Sequence, residues 1–252
     1  MAGTGRMQGR NALVTGSTGG IGRAVALALA REGATVVVSG RDAERGEDIV
    51  RRVEDEGGKA VFVQADLSAG GQAVRDLARD AAEAVGVIDV LVNNAAVLIP
   101  AQSMLEATEE EIDRALAVNV KAPFLLTAAL VPSMVERGGG AVVNMGSING
   151  ETGMSVAALY GASKAALHSL TKSWAAELAA QGVRVNTVAP GPTVTEHNAA
   201  YSELLEGLTK AHPQRRPGTA EEVAAAVVFL AGDDAAHIHG ATLPVDGGFL
   251  AV

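Results

Sequence analysis

Cysteine is absent from the 252-residue chain, which excludes disulfides, zinc–thiolate sites, thiol nucleophiles and iron–sulfur clusters. Aromatic residues are scarce, at 3%, so the core must be Ala, Val and Leu joined by close helix–sheet contact. Basic residues are in deficit. Twenty Lys and Arg against 29 Asp and Glu give a net charge of −9, with no surplus to release counterions from nucleic acid. No uninterrupted apolar run approaches ~18 residues, so no membrane span is expected. The start, Met1–Arg10, lacks the apolar stretch of a secretion signal. A soluble, cytoplasmic protein is the expectation. What is plentiful is aliphatic: 48% hydrophobic against 19% charged residues, too apolar for a disordered chain and enough for a substantial core.

Short β-branched runs alternate with longer Ala- and Leu-rich stretches. Strands are predicted at residues 12–15, 35–39, 60–64, 87–93, 141–145, 183–188 and 242–245. Most are nearly continuous apolar runs, as expected of parallel strands buried on both faces. Helices are predicted at 21–32, 43–56, 72–85, 109–136, 157–181, 201–210 and 220–231. Two begin with a capping box, Thr108 with Glu111 and Thr219 with Glu222, so the acidic run Glu109–Glu111 reads as a helix start and not a metal site. No linker, repeat or low-complexity block interrupts the alternation. It predicts one α/β domain over 1–252, a doubly wound Rossmann-type fold whose mostly parallel seven-stranded sheet carries helices on both faces. Ligands of such sheets bind beyond the carboxyl ends of the strands.

The first strand runs into Thr15-Gly16-Ser17-Thr18-Gly19-Gly20-Ile21-Gly22 and then a helix. Glycines let the backbone turn sharply and approach a pyrophosphate, whose charge the helix N-terminus favours. No Lys follows in the manner of GxxxxGK[ST], which disfavours ATP or GTP hydrolysis. Further on come Asn93-Asn94-Ala95, Ser147, Tyr160-x-x-x-Lys164 and Pro190-Gly191. Together and in this order these motifs resemble a short-chain dehydrogenase/reductase of the compact type, over essentially residues 9–249. The loop also satisfies TGxxGxxG, the spacing of longer epimerase-type members, because residue 19 is Gly; chain length and the Ser–Tyr spacing favour the compact type. Ala96 stands where the family motif NNAG has its last glycine.

The resemblance implies a nicotinamide dinucleotide held by Gly16, Ser17, Thr18, Gly20, Ile21 and Gly22. Asp66 is expected at the adenine with Leu67 beside it, and Asn93 and Ala95 under the nicotinamide riboside. Pro190, Gly191, Thr193 and Thr195 are expected to grip the carboxamide, and Lys164 to hold the ribose hydroxyls next to Tyr160. At the end of the second strand, the position that is acidic in NAD enzymes falls on Gly40, followed by Arg41. A guanidinium can pair with a phosphate and stack on adenine, so NADP(H) is favoured over NAD(H). Asp42 reads as a helix N-cap.

Tyr160 and Lys164 lie one helical turn apart on one face. A cation ~5 Å from a phenol at an effective dielectric near 20 is worth ~3 kcal/mol, about two pKa units, and an oxidised nicotinamide ring adds more. Tyr160 is thereby expected to act as general acid–base, with Ser147 polarising the substrate oxygen. Residues 145–149 do not form GxSxG, and no His sits in a triad motif. Asn119 completes the family's tetrad. Pro123, four residues on, has no N–H, which leaves the Asn119 carbonyl free to hold a water on a proton path from Lys164. No metal is required; His237 and His239 lack carboxylate company.

The reaction expected is hydride transfer between a dinucleotide and a small-molecule ketone or secondary alcohol. Val97–Ile99, Asn149, Met154 and a variable lid at about 192–216, with Tyr201, Leu204, Leu205 and His212, should wall the pocket. Val97, Asn149, Tyr160, Ser147 and Tyr201 are the substrate contacts expected, while His197 and His212 read as solvated lid residues. An alternative is 3-oxoacyl-[acyl-carrier-protein] reduction. The arginines that such relatives use to dock an acidic carrier align with Ala141 and Ala176 here, and a net charge of −9 does not attract one. From other classes, a non-catalytic NADP-binding sensor would not need Ser147, Tyr160 and Lys164, and an epimerase or dehydratase lacks room for its substrate domain. The resemblance implies a homotetramer.

Overall fold

A computed structural model describes residues 5–252; residues 1–4, part of the segment read for a secretion signal, lie outside the described residues. The chain runs β1 (Asn11–Thr15), α1 (Gly20–Arg31), β2 (Thr35–Gly40), α2 (Ala43–Asp55), β3 (Lys59–Gln64), α3 (Gly71–Val85) and β4 (Val90–Asn93). It continues through α4 (Glu109–Leu116), α5 (Ala122–Glu136), β5 (Gly140–Met145), α6 (Ala158–Leu178), β6 (Val183–Pro190) and β7 (Thr193–Val194). The last elements are α7 (Ser202–Thr209), β8 (Gly218–Thr219), α8 (Ala220–Ala231) and β9 (Thr242–Val245). Seven strands form one sheet in the order β3-β2-β1-β4-β5-β6-β9, every pair parallel. Alternate residues of each strand feed two cores. Ala12, Val14, Val36, Val38 and Val143 pack with α1, α2 and α8 on one face. Leu13, Val37, Leu91, Val142 and Val185 pack with α3, α5 and α6 on the other. Strand order reverses between β1 and β4, which opens a crevice at their carboxyl ends.

The predicted elements recur within a few residues, both capping boxes included. Three differences have physical causes. β4 starts at Val90 and not at 87, because the Asp89 carboxylate accepts the Asn11 N–H at 2.8 Å and closes the ladder there. β7 and β8 form a separate two-stranded pair that no hydrophobic run announced. The helix expected over 109–136 is one 28-residue unit, α4 and α5 joined by a π turn at Ala117–Lys121. Joined, it is long and apolar enough to cross a membrane, contrary to the expectation from uninterrupted runs, since only Lys121 breaks its apolar window. Half of that window is buried inside the protein, where Leu126, Leu130 and Met134 meet the sheet.

A buried polar chain stitches the sheet beneath its carboxyl edge. Asn93 on β4 donates to Asn144 Oδ1 on β5 at 2.9 Å and to Thr127 Oγ1 on α5 at 3.2 Å. Asn144 in turn donates to Thr171 on α6 at 2.8 Å, and Thr171 meets Thr187 on β6 at 2.7 Å. Each group is paired, so the network fixes strand positions without an unsatisfied buried atom.

Candidate active site

The turn after β1 is built from backbone that side chains cannot occupy. Gly16 has φ +63°, and a Cβ there would lie 2.9 Å from Ala95 Cα. A Cβ on Gly22 would strike Asn94 and the Gly16 carbonyl, and one on Gly19 would strike His197. Ser17 is fully buried as a strut. Its hydroxyl donates to the Val14 carbonyl at 2.7 Å and accepts the Ser39 N–H at 3.0 Å. The loop opens on a crevice of about 660 Å³.

Of the residues expected at a dinucleotide, Gly16, Thr18, Gly20, Ile21, Gly22, Arg41, Asp66, Leu67, Ala95, Pro190, Gly191, Thr193 and Thr195 line this crevice, as do Ser147, Tyr160, Lys164 and Val97. Ser17 and Asn93 do not, because both side chains are spent inside the sheet. Asn149 and Tyr201 also lie outside the lining; Tyr201 is exposed. Asn94 takes the place expected of Asn93, its amide donating to the carbonyls of Thr15 at 2.8 Å and Gly16 at 3.1 Å. Leu98, expected in the pocket wall, lines the crevice, as does His197, expected as a solvated lid residue; Arg114 of α4 joins the lining unannounced. His212, expected to be solvated, is buried against the Phe249 ring at 4.7 Å.

The chain fits a bound dinucleotide by its own geometry. α1 has no acidic residue in its first turn and no side-chain cap, so its N-terminal N–H groups attract an anion. The Glu196 carboxylate takes that role, accepting the Gly20 N–H at 2.7 Å while pairing with Arg23 at 3.3 Å. Burial raises the Glu196 pKa, but the Gly20 N–H, Arg23 and His197 together hold it below the usual carboxylate range. At the carboxyl end of β2, Gly40 offers no carboxylate. Asp42 caps α2, accepting from the Arg45 N–H at 3.1 Å and pairing with the Arg45 side chain at 3.2 Å. Arg41 is exposed and, among the described residues, pairs with no carboxylate within 4.0 Å. Asp66 is held below its ordinary pKa chiefly by the Ser68 hydroxyl at 2.6 Å.

α6 brings Tyr160 and Lys164 to the crevice on one face. The buried Lys164 Nζ donates to the Met145 carbonyl at 2.8 Å and stands 5.6 Å from the Tyr160 ring centroid. Burial drops the Lys164 pKa to about 8. Burial also raises the Tyr160 phenol, which the Ser147 hydroxyl partly offsets. The expected lowering of Tyr160 by Lys164 is therefore not present in the chain alone. The ammonium sits against the ring and a carbonyl, and burial of the phenol outweighs it. Ser147, extended at φ −169°, heads the short turn Ile148–Gly150 after β5 and accepts the Asn149 N–H at 3.2 Å.

Asn119 lies in the π turn. There Ala122 donates to Ala117, a register five residues long instead of the four that the expectation about Pro123 assumed. Its side chain joins three segments. Oδ1 accepts from Val97 N–H at 2.8 Å, while Nδ2 donates to the Val97 carbonyl at 3.2 Å and Ser163 Oγ at 3.1 Å. Ser163 in turn donates to the Tyr160 carbonyl at 2.8 Å. Asn119 thus braces the helix turn that carries Tyr160.

A family model described as enoyl-(acyl carrier protein) reductase matches residues 16–250. An uncharacterized oxidoreductase of Thermotoga maritima is 37% identical, over 97% of this chain and 99% of its own. A 3β-hydroxysteroid dehydrogenase of Mediterraneibacter gnavus is 35% identical, over 97% and 96%. A 3-oxoacyl-(acyl-carrier-protein) reductase of Agrobacterium tumefaciens, solved with NADP bound, superposes with a TM-score of 0.90 at 35% identity, over 96% of this chain and 95% of that one. With a parallel sheet, a glycine-lined crevice and Ser147, Tyr160 and Lys164 at its wall, the chain belongs to the short-chain dehydrogenase/reductases, the NAD(P)-dependent oxidoreductase family.

Proposed function

We propose that the protein is an NADP(H)-preferring oxidoreductase that interconverts a small-molecule ketone and a secondary alcohol. One observation carries the reading: a Ser147 hydroxyl against the Tyr160 phenol, with a buried ammonium beside the ring, all facing one crevice. Ser147 holds the substrate oxygen, Tyr160 gives or takes its proton, and Lys164 holds ribose hydroxyls and offsets negative charge on the phenol. Asn119 keeps the Tyr160 turn in place through Ser163. When bound, the nicotinamide supplies or accepts the hydride and, in its oxidised form, adds positive charge near the phenol. Gly16, Thr18, Gly20, Ile21 and Gly22 cradle the pyrophosphate; Asp66, Leu67 and Ala95 flank the adenosine and riboside; Pro190, Gly191, Thr193 and Thr195 grip the carboxamide. Arg41 beside Gly40 selects the extra phosphate of NADP(H). Relatives solved with NADP support this choice.

The substrate pocket is walled by Val97 and Leu98 and closed by the lid at about 192–216, with Asn149 and Tyr201 reaching the substrate on closure. Solvent-exposed Leu98, Met104, Met154 and Tyr201 favour an apolar carbonyl compound. A second reading, reduction of a carrier-bound 3-oxoacyl group, has the support of the Agrobacterium relative. Against it stand a buried Ala141 and an uncharged Ala176 at the aligned docking positions. A cytoplasmic homotetramer fits the absence of cysteine and the exposed Ile112, Leu116 and Phe124 along the long helix. The test is oxidation of NADPH and NADH over ketones, diketones, sugars and acyl-carrier thioesters. NADPH-dependent turnover of a free ketone that Tyr160→Phe cuts about a hundred- to ten-thousandfold is expected. Turnover that survives the change, or is confined to carrier thioesters, overturns the assignment.

A further inference from the structure

On α6 the face that carries Tyr160 and Lys164 continues one turn deeper to His168, which is buried. Its ring lies directly under the Ser147 loop. A methyl on Gly146 would collide with His168 Nε2, and one on Gly150 would come within 2.8 Å of Cε1. These are the glycines on either side of Ser147, so the loop has been pared to bare backbone where it rests on the imidazole. Among the described residues Nε2 has no hydrogen-bond partner, and Nδ1 lies 3.7 Å from Glu151 Oε1 at the loop's far end. We propose that His168 is a positioning residue for carbonyl reduction: its neutral ring is the platform of the Ser147 loop, and protonation withdraws that platform.

The inference rests on the reductase reading given above. A neutral imidazole needs only contact from Gly146 and Gly150. A charged one places a second cation one turn from the Lys164 ammonium and an unaccepted N–H against backbone, both costly away from water. The charged groups around it are Glu151 from the loop and Lys164 and Lys172 from its own helix. Only Glu151 attracts, and it lies toward the surface, so the charged ring gains by moving outward from beneath Ser147. Burial, Lys164 and Lys172 press its pKa below the ordinary 6.5, with Glu151 opposing. The platform is therefore intact at neutral pH and lost on acidification.

The experiment reads kcat for NADPH-dependent reduction, dinucleotide Kd and the His168 imidazole proton resonance across pH. In the wild-type protein kcat should fall about tenfold on the acid side along the His168 titration, while Kd moves less than about twofold. His168→Gln should lower kcat throughout and remove that acid limb; a limb that persists at the same pH overturns the proposal. Should the Gln variant not fold, Glu151→Gln at the surface replaces it. Loss of the attracting carboxylate should move limb and resonance together to lower pH, and a limb that stays put is the contrary result. Lys164→Met should raise the His168 pKa. This resonance needs no substrate, so a protein without reductase activity sinks the function while the imidazole still reports. A His168 that titrates at or above 6.5, or ignores Lys164→Met, contradicts the platform.

Discussion

Two side chains flanking the glycine turn decide how a dinucleotide is met. Arg41 stands unpaired by any carboxylate among the described residues, beside a Gly40 that cannot repel a phosphate. Its truncation, Arg41→Ala, should weaken NADPH binding about tenfold to a hundredfold and leave NADH within about threefold, by titration calorimetry. Glu196 acts in the opposite sense. Its carboxylate holds the Gly20 N–H at the start of α1, where an incoming pyrophosphate also seeks a donor. Glu196→Gln removes the competing charge and should tighten dinucleotide binding several-fold, about 1 kcal/mol, most clearly at low salt. Weaker binding would mean that the carboxylate holds the loop open for the ligand and does not compete with it.

Elements bear on the site through the polar chain under the sheet edge. Asn144→Ala would deprive Asn93 and Thr171 of one partner each and should cost about 2–3 kcal/mol in urea unfolding. Removal of the exposed Asp48–Arg52 pair on α2 should cost less than about 1 kcal/mol. The same network shows how far the site was legible in sequence. Continuous apolar runs and capping boxes carried the strands and helices, because burial on two faces and cap chemistry are local. The glycine turn and the Tyr160–Lys164 spacing were legible for the same reason. Whether Asn93 or Asn94 faces the crevice was not, since adjacent strand residues point to opposite sides and strand register settles which. Ser17 was misplaced likewise, as its partner Ser39 comes from another strand. His168 gave a helical spacing but no hint that two glycines from a distant loop rest upon it.

At the scale of the whole molecule, the buried Lys164 ammonium is a cost built into the fold. Unfolded, the lysine keeps its proton to about 10.5; folded, it releases it near 8. Between those values the unfolded chain binds more protons, so raising pH favours the folded state through this group, by about 3 kcal/mol across the window. Below pH 8 both states are protonated and the contribution is constant. Tyr160 works against the trend only above the ordinary phenol value of about 10. Relative to Lys164→Met, the wild-type protein should therefore gain stability from pH 8 to 10 in urea titrations, and parallel profiles would refute a buried, strained ammonium.

Only two tyrosines, Tyr160 and Tyr201, occur in the chain, so in Tyr201→Phe the phenolate absorbance reports Tyr160 alone. Without dinucleotide it should titrate above 10, as burial dictates. With saturating oxidised dinucleotide, whose ring carries a positive charge, it should drop by about two units. A phenol that titrates identically with and without the dinucleotide would contradict Tyr160 as the proton carrier.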